Sequence, residues 1–155
     1  ERGSKRPDAP PLARATVRAA VAAAFSLMPD VALFAGGKSF GGRMTSQAQA
    51  ESALTAVRGL IFLGFPLHPA QKPSQQRAEH LSQVNCPMLF LQGTRDELAD
   101  AALMRPVAER LGTLATLQFF DDADHSFHVR ARSGRTDAQV LGSMLDAIVA
   151  WIAAR

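Results

Sequence analysis

Three side chains suited to acyl-transfer chemistry occur in order along the chain: Ser39 in Gly37-Lys38-Ser39-Phe40-Gly41, Asp96 in Gln92-Gly93-Thr94-Arg95-Asp96, and His125 in Asp124-His125-Ser126-Phe127. A serine hydroxyl is a weak nucleophile near neutral pH until a base takes its proton. Histidine is the usual base, and a carboxylate fixes its tautomer and stabilises the imidazolium that forms. The chain offers His68, His80, His125 and His128. His125 follows the last apolar run, and His128, three residues on, stands as its substitute. Asp96 follows the preceding apolar run at once. Either Asp96 or Asp100 could instead cap the helix expected from Ala101, so cap and orienting acid remain alternatives for both.

The serine motif has a steric rationale. Gly37 and Gly41 bracket Ser39 between the apolar run Val31-Ala32-Leu33-Phe34-Ala35 and an alanine-rich stretch of helical character. A G-x-S-x-G serine on such a strand-to-helix turn is held in a strained conformation with its hydroxyl exposed, and the next amide, that of Phe40, points where an oxyanion would form. Gly37-Lys38-Ser39 also resembles the end of a phosphate-binding loop. That motif requires a glycine five positions before Gly37, where this chain has Ala32 inside the apparent strand. The nucleotide reading is therefore set aside.

Hydropathy periodicity predicts the elements that must position these groups. Residues 1–9 read as a flexible basic lead, and residues 10–155 as one domain. Helices are expected over about 10–28, 41–55, 101–111 and 136–154, with a short polar helix over 74–83 and a loop over 66–73. Strands are expected over 31–35, 57–64, 88–91 and 114–120. Apolar strands alternating with helices predict a four-stranded parallel sheet covered on both faces, a three-layer α/β sandwich. Chemistry in such folds gathers at the carboxyl ends of the strands, and Ser39, Asp96 and His125 each lie just past one. Val140, Met144, Ile148 and Trp151 form one face of the last helix and read as core.

Composition narrows the function classes. The 155 residues are 47% apolar and 20% charged with a net charge of +3, ordinary for one globular domain. No stripe of Lys and Arg interleaved with aromatics points to nucleic acid. No apolar run is long enough for a membrane span, and no secretory signal is visible. The single cysteine, Cys86, cannot form an internal disulfide and favours a reducing, cytoplasmic setting. His125, His128 and the nearby aspartates have metal-compatible donors, but a spacing of three on a loop is not diagnostic and no metal or organic cofactor is expected. His68, Arg43 and Phe127 are candidate substrate contacts. His68 equally suits a loop hydrogen bond, Arg43 a solvated surface position and Phe127 the core.

Several stretches resemble the α/β-hydrolase superfamily, and within it the dienelactone-hydrolase-like group of small predicted hydrolases related to testis-expressed and KANSL3-type proteins. They are Gly36-Gly37-Lys38-Ser39-Phe40-Gly41-Gly42-Arg43-Met44, Leu63-Gly64-Phe65-Pro66-Leu67-His68-Pro69, Arg77-Ala78-Glu79-His80-Leu81, Leu91-Gln92-Gly93-Thr94-Arg95-Asp96 and Asp124-His125-Ser126-Phe127. The order Ser39, Asp96, His125 is the Ser…Asp…His order of that fold. The resemblance implies Ser39 as nucleophile, Asp96 as orienting acid, His125 as general base and the Phe40 amide in the oxyanion hole. It implies hydrolysis of a small-molecule ester, thioester or lactone, while some relatives serve as scaffolds without turnover. About four strands precede the serine-bearing strand in that fold, and a loop among them supplies the second oxyanion donor. Only one helix is expected before Val31 here. The expectation is a missing N-terminal segment, or another copy of the chain, covering an exposed sheet edge.

Overall fold

The computed structural model describes residues 7–155. Most of the basic lead, residues 1–6, lies outside the described residues; Pro7, Asp8 and Ala9 are irregular and exposed. Pro10 and Pro11 then open a helix, as suits a residue with no amide hydrogen to lose in a first turn. The elements run α1 (Pro10–Leu27), β1 (Leu33–Lys38), α2 (Phe40–Glu51), β2 (Val57–Leu63), a 3₁₀ segment (Gln76–Gln83), β3 (Met88–Gly93), α3 (Ala101–Leu111), β4 (Ala115–Phe120) and α4 (Asp137–Ala153).

The four strands form one parallel sheet in the order β1-β2-β3-β4. Alternate side chains on each strand enter opposite layers. Leu60, Phe62, Met88 and Phe90 point into the core beneath α2, α3 and the 3₁₀ segment, with Val17 and Val21 of α1 packed at its margin. Leu89 and Leu91, with Ile61 and Leu63, face the other way and meet Val140, Met144 and Trp151 of α4. The Trp151 indole donates to Thr116 Oγ1 at 3.1 Å, which satisfies the one polar atom that this layer buries on the ring. Ile148 is only partly buried at the margin of the same layer.

Three boundaries differ from expectation. The first strand is Leu33–Lys38 rather than 31–35, because Gly36, Gly37 and Lys38 pair with Ile61, Phe62 and Leu63. Backbone pairing needs no apolar side chain, so hydropathy alone ended this strand too early. It therefore runs to the residue before the serine. The next helix starts at Phe40 and stops at Glu51, and the segment after Ser74 is a 3₁₀ helix. Arg18 of α1 donates to the carbonyls of Ala48 and of Ser52, the latter at 2.9 Å, and so covers the free carbonyl end of α2.

β1 ends the sheet order on one side. On α4, Leu141, Leu145 and Val149 recur every fourth residue and are all exposed, at 54%, 53% and 66%. An apolar helical stripe and an unpaired strand edge are therefore open surfaces of the described residues.

Candidate active site

Ser39 links β1 to α2 with φ 52° and ψ −118°. This region is sparsely populated by any residue with a Cβ. Two backbone bonds hold it there: Ser39 N–H donates to Leu63 O at 3.0 Å, and Arg43 N–H donates to Ser39 O at 3.1 Å. The serine makes no side-chain cap on α2, which leaves its hydroxyl available. Gly37 supplies the closeness of strand and helix, since a Cβ there would stand 3.2 Å from Gly41 C and Gly42 N. The second required glycine is Gly42, not Gly41. A Cβ at Gly42 would lie 2.6 Å from Gly37 O, whereas one at Gly41 meets nothing within 4 Å.

Asp96 follows β3 on a tight turn and its side chain has no solvent exposure. Its Oδ1 accepts Leu98 N–H at 2.8 Å, and its Oδ2 accepts from Gln92 Nε2 at 2.5 Å. Asp100 is the helix cap, with Oδ1 accepting Ala102 N–H at 2.7 Å. Of the two aspartates, Asp100 is therefore the cap of α3.

The loop after β4 brings His125 back over the sheet. Arg95 N–H donates to Ala123 O at 2.9 Å, and Asp122 N–H donates to Thr94 Oγ1 at 2.9 Å, tying this loop to the one after β3. Gly93 permits that approach, because a Cβ there would run into the Ala123 and Asp124 carbonyls. Asp124 Oδ1 accepts the amides of Ser126 and His128 at 2.8 and 3.0 Å, which closes the turn around the histidine.

The three side chains meet. His125 Nδ1 lies 2.7 Å from Asp96 Oδ2, and His125 Nε2 lies 2.8 Å from Ser39 Oγ. A buried carboxylate can only accept, so Nδ1 carries the hydrogen and Nε2 presents its lone pair to the serine hydroxyl. The Phe40 amide is the first of α2, where no intrahelical acceptor exists and the helix dipole is positive. The arrangement can remove a proton from Ser39 and stabilise negative charge beside it.

The remaining candidates take other places. His128 Nδ1 is 2.7 Å from Asp137 Oδ2 at the start of α4, and both side chains are exposed. Asp137 holds the His128 pKa above its usual value, while the Val129 amide and then His128 hold the Asp137 carboxyl below its own. His68 is buried, with Nδ1 donating to Pro69 O at 2.9 Å and Nε2 accepting Asp100 N–H at 3.2 Å. Both ring nitrogens are consumed in fastening the loop, although the residue borders a cleft of about 500 Å³. The Arg43 guanidinium lies 5.9 Å from the Phe40 ring, and its buried Nε has no partner. Phe127, at φ 65°, packs edge-on against Phe120 and lines an apolar cleft of about 310 Å³ with Leu63 and Met144. Lys38 Nζ reaches Ser126 Oγ at 3.1 Å at the edge of that cleft.

A second serine–histidine contact joins Ser46 Oγ to His80 Nε2 at 2.8 Å. Ser46 is fully buried and gives its hydrogen to Arg43 O at 2.9 Å, so the ring must donate to it rather than act as its base. Burial, followed by the nearby Arg43 charge, pushes the His80 pKa down to about 4. Among the described residues no group of three or more His, Cys, Asp or Glu side chains could hold a metal ion. No helix of the described residues is long and apolar enough to cross a membrane.

This chain belongs to the α/β-hydrolase domain family, whose pattern matches residues 1–153. Solved structures share the fold. An α/β serine hydrolase without lid from Xanthomonas campestris is 25% identical, with 97% of this chain and 62% of that chain aligned and a TM-score of 0.69. A putative α/β-hydrolase from Agrobacterium tumefaciens is 18% identical over 100% of this chain and 67% of that one, with a TM-score of 0.73. An α/β serine hydrolase homologue from Coxiella burnetii is 18% identical over 81% of this chain, with a TM-score of 0.63. The chain spans 56% of the Coxiella protein and 62% of the Xanthomonas one, less than two thirds of either.

Proposed function

We propose that the protein is a serine hydrolase that cleaves a small ester, thioester or lactone through an acyl-enzyme. The observation that carries this reading is the unbroken hydrogen-bonded line from Ser39 Oγ through the His125 ring to Asp96, at 2.8 and 2.7 Å. As Ser39 Oγ attacks the substrate carbonyl carbon, its proton passes to His125 Nε2. Asp96 stabilises the resulting imidazolium without itself taking the proton. The carbonyl oxygen becomes an oxyanion that accepts from the Phe40 amide. On collapse, the leaving group takes the proton from His125. Water then enters and gives a proton to the same nitrogen while its oxygen bonds to the acyl carbon; on collapse the acid leaves, and Ser39 Oγ takes the proton back from His125.

Within the superfamily we assign the protein to the dienelactone-hydrolase-like group, on the sequence stretches around Ser39, His80 and Asp96. One oxyanion donor alone leaves much of the stabilisation unmade, since losing a donor typically costs about 100- to 1000-fold. The open outer edge of β1 is where a further segment, or another copy of the chain, would pair and bring a second amide to the site. The lone cysteine, Cys86, is buried and unpaired, which accords with a reducing cytoplasm.

Hydrolysis of p-nitrophenyl acetate and butyrate tests the reading. Ser39→Ala should reduce turnover to background, and Asp96→Asn should lower kcat on the order of 10⁴-fold by imposing the wrong histidine tautomer. Turnover that survives Ser39→Ala would refute it, and a folded full-length protein with no turnover would favour a catalytically silent scaffold.

A further inference from the structure

Gln92 is the last polar side chain expected in a buried strand. It occupies the penultimate position of β3, in a run of which every residue is buried, and is itself 0% exposed. A carboxamide taken wholly out of water must have its donors and acceptors met inside the protein. Both ends of this one are used. Its Oε1 accepts Phe65 N–H at 3.0 Å, and its Nε2 donates to Asp96 Oδ2 at 2.5 Å.

The oxygen it reaches is the one that matters. Asp96 Oδ2 is also the acceptor for His125 Nδ1, while Oδ1 is held by Leu98 N–H. With no solvent at the Asp96 side chain, water cannot replace a missing donor. Leu98 alone would anchor one oxygen and leave the carboxyl plane free to swing. Two anchors, one on each oxygen, fix the plane with Oδ2 facing the imidazole. Gln92 also shares the negative charge of that oxygen with the histidine.

We propose that Gln92 is a positioning residue of the Ser39–His125–Asp96 site: its carboxamide sets the Asp96 carboxylate for His125 and locks the chain at Phe65 to the same point. The proposal rests on the reading of that trio as the reacting groups. It acts through Asp96 and has no contact with substrate.

Two variants separate positioning from packing. Gln92→Met keeps the volume and loses both hydrogen bonds. Gln92→Glu keeps the shape and the acceptor for Phe65 N–H, and a cooperative melt establishes that each variant is folded before it is compared. Its carboxyl group donates to Asp96 only while protonated and repels Asp96 once ionised. Each is measured by the downfield proton resonance of His125 Nδ1–H across pH, and by kcat and KM for p-nitrophenyl butyrate. Lys38, Arg95, Glu97 and Asp124, the charged groups around the same loops, are unchanged in both variants. The expected result is a displaced Nδ1–H resonance, with kcat down about 10- to 100-fold and KM unchanged. In Gln92→Glu the loss should deepen as pH rises. A folded variant with the wild-type resonance overturns the proposal, as does a loss of kcat in Gln92→Glu that is uniform across pH. If the resonance shifts as expected while the wild type shows no Ser39-dependent turnover, the positioning role stands and the hydrolase reading falls.

Discussion

Replacing Ser39 by glycine should give a more stable protein than replacing it by alanine. Both variants lose the hydroxyl and its bond to His125, and the wild-type serine makes no cap on α2, so neither differs from the other in side-chain hydrogen bonding. They differ in what the backbone at φ 52°, ψ −118° costs. A residue with a Cβ held in such a region costs about 1–3 kcal/mol, which glycine does not incur. Glycine in turn loses roughly 0.5–1 kcal/mol more chain entropy on folding. The net advantage of glycine is therefore about 0–2.5 kcal/mol, with a central value of about 1–1.5 kcal/mol. For a domain of this size that central value corresponds to a melting temperature about 2–6 °C higher. Urea unfolding of the two variants, with equal slopes, reads the difference directly. An alanine variant more stable than the glycine one by about 0.5–1 kcal/mol would show that the turn at Ser39 holds no strain, and the account of how the hydroxyl is exposed would fail.

Two further outcomes follow from the geometry. Gly42→Ala should destabilise by about 1–3 kcal/mol, because the new Cβ meets Gly37 O and, at 3.1 Å, Phe62 Cδ1; Gly41→Ala meets nothing and should gain about 0.5–1 kcal/mol from helix propensity. Chemical denaturation of the pair checks the contrast, and equal effects would contradict it. His80 titrates at about 4 in the folded protein but near 6.5 in the unfolded chain. The unfolded state thus binds more protons between these values, and stability should fall as pH drops from about 6.5 to 4 and level off below. His80→Gln should flatten this slope by on the order of 1 kcal/mol, reduced from the full linkage value because the ring remains partly open to water. An unchanged slope in melting temperature against pH would exclude His80 as its source.

Much of the site was legible because its members sit where strand meets loop. The apolar runs ending at Leu91 and Phe120 placed Asp96 and His125 at one rim, and the structure joins both to Ser39. The helix Ala101–Leu111 also lies where periodicity put it, since Asp100 caps its start and Gly112, at φ 59°, ends it. What hydropathy could not reveal depends on backbone contacts across the sheet. The pairing of Gly36 and Gly37 with β2 extends β1, and Gly42 rather than Gly41 is crowded, because helix phase decides which glycine faces the strand. His68 suited both a loop hydrogen bond and a substrate contact on its sequence position, and Pro69 O and Asp100 N–H on its two nitrogens give it the loop role. Gln92 left a usable signal: a polar side chain inside an otherwise apolar strand, four residues before the aspartate it holds.

The central claim, that Ser39 is a nucleophile activated by His125, is tested most directly by covalent labelling. The folded protein is incubated with a fluorophosphonate and followed by intact mass and peptide mapping. The account predicts one adduct per chain, on Ser39, absent in Ser39→Ala and formed far more slowly in His125→Ala. Folded protein that stays unlabelled, or that labels at the same rate without the imidazole, would contradict it.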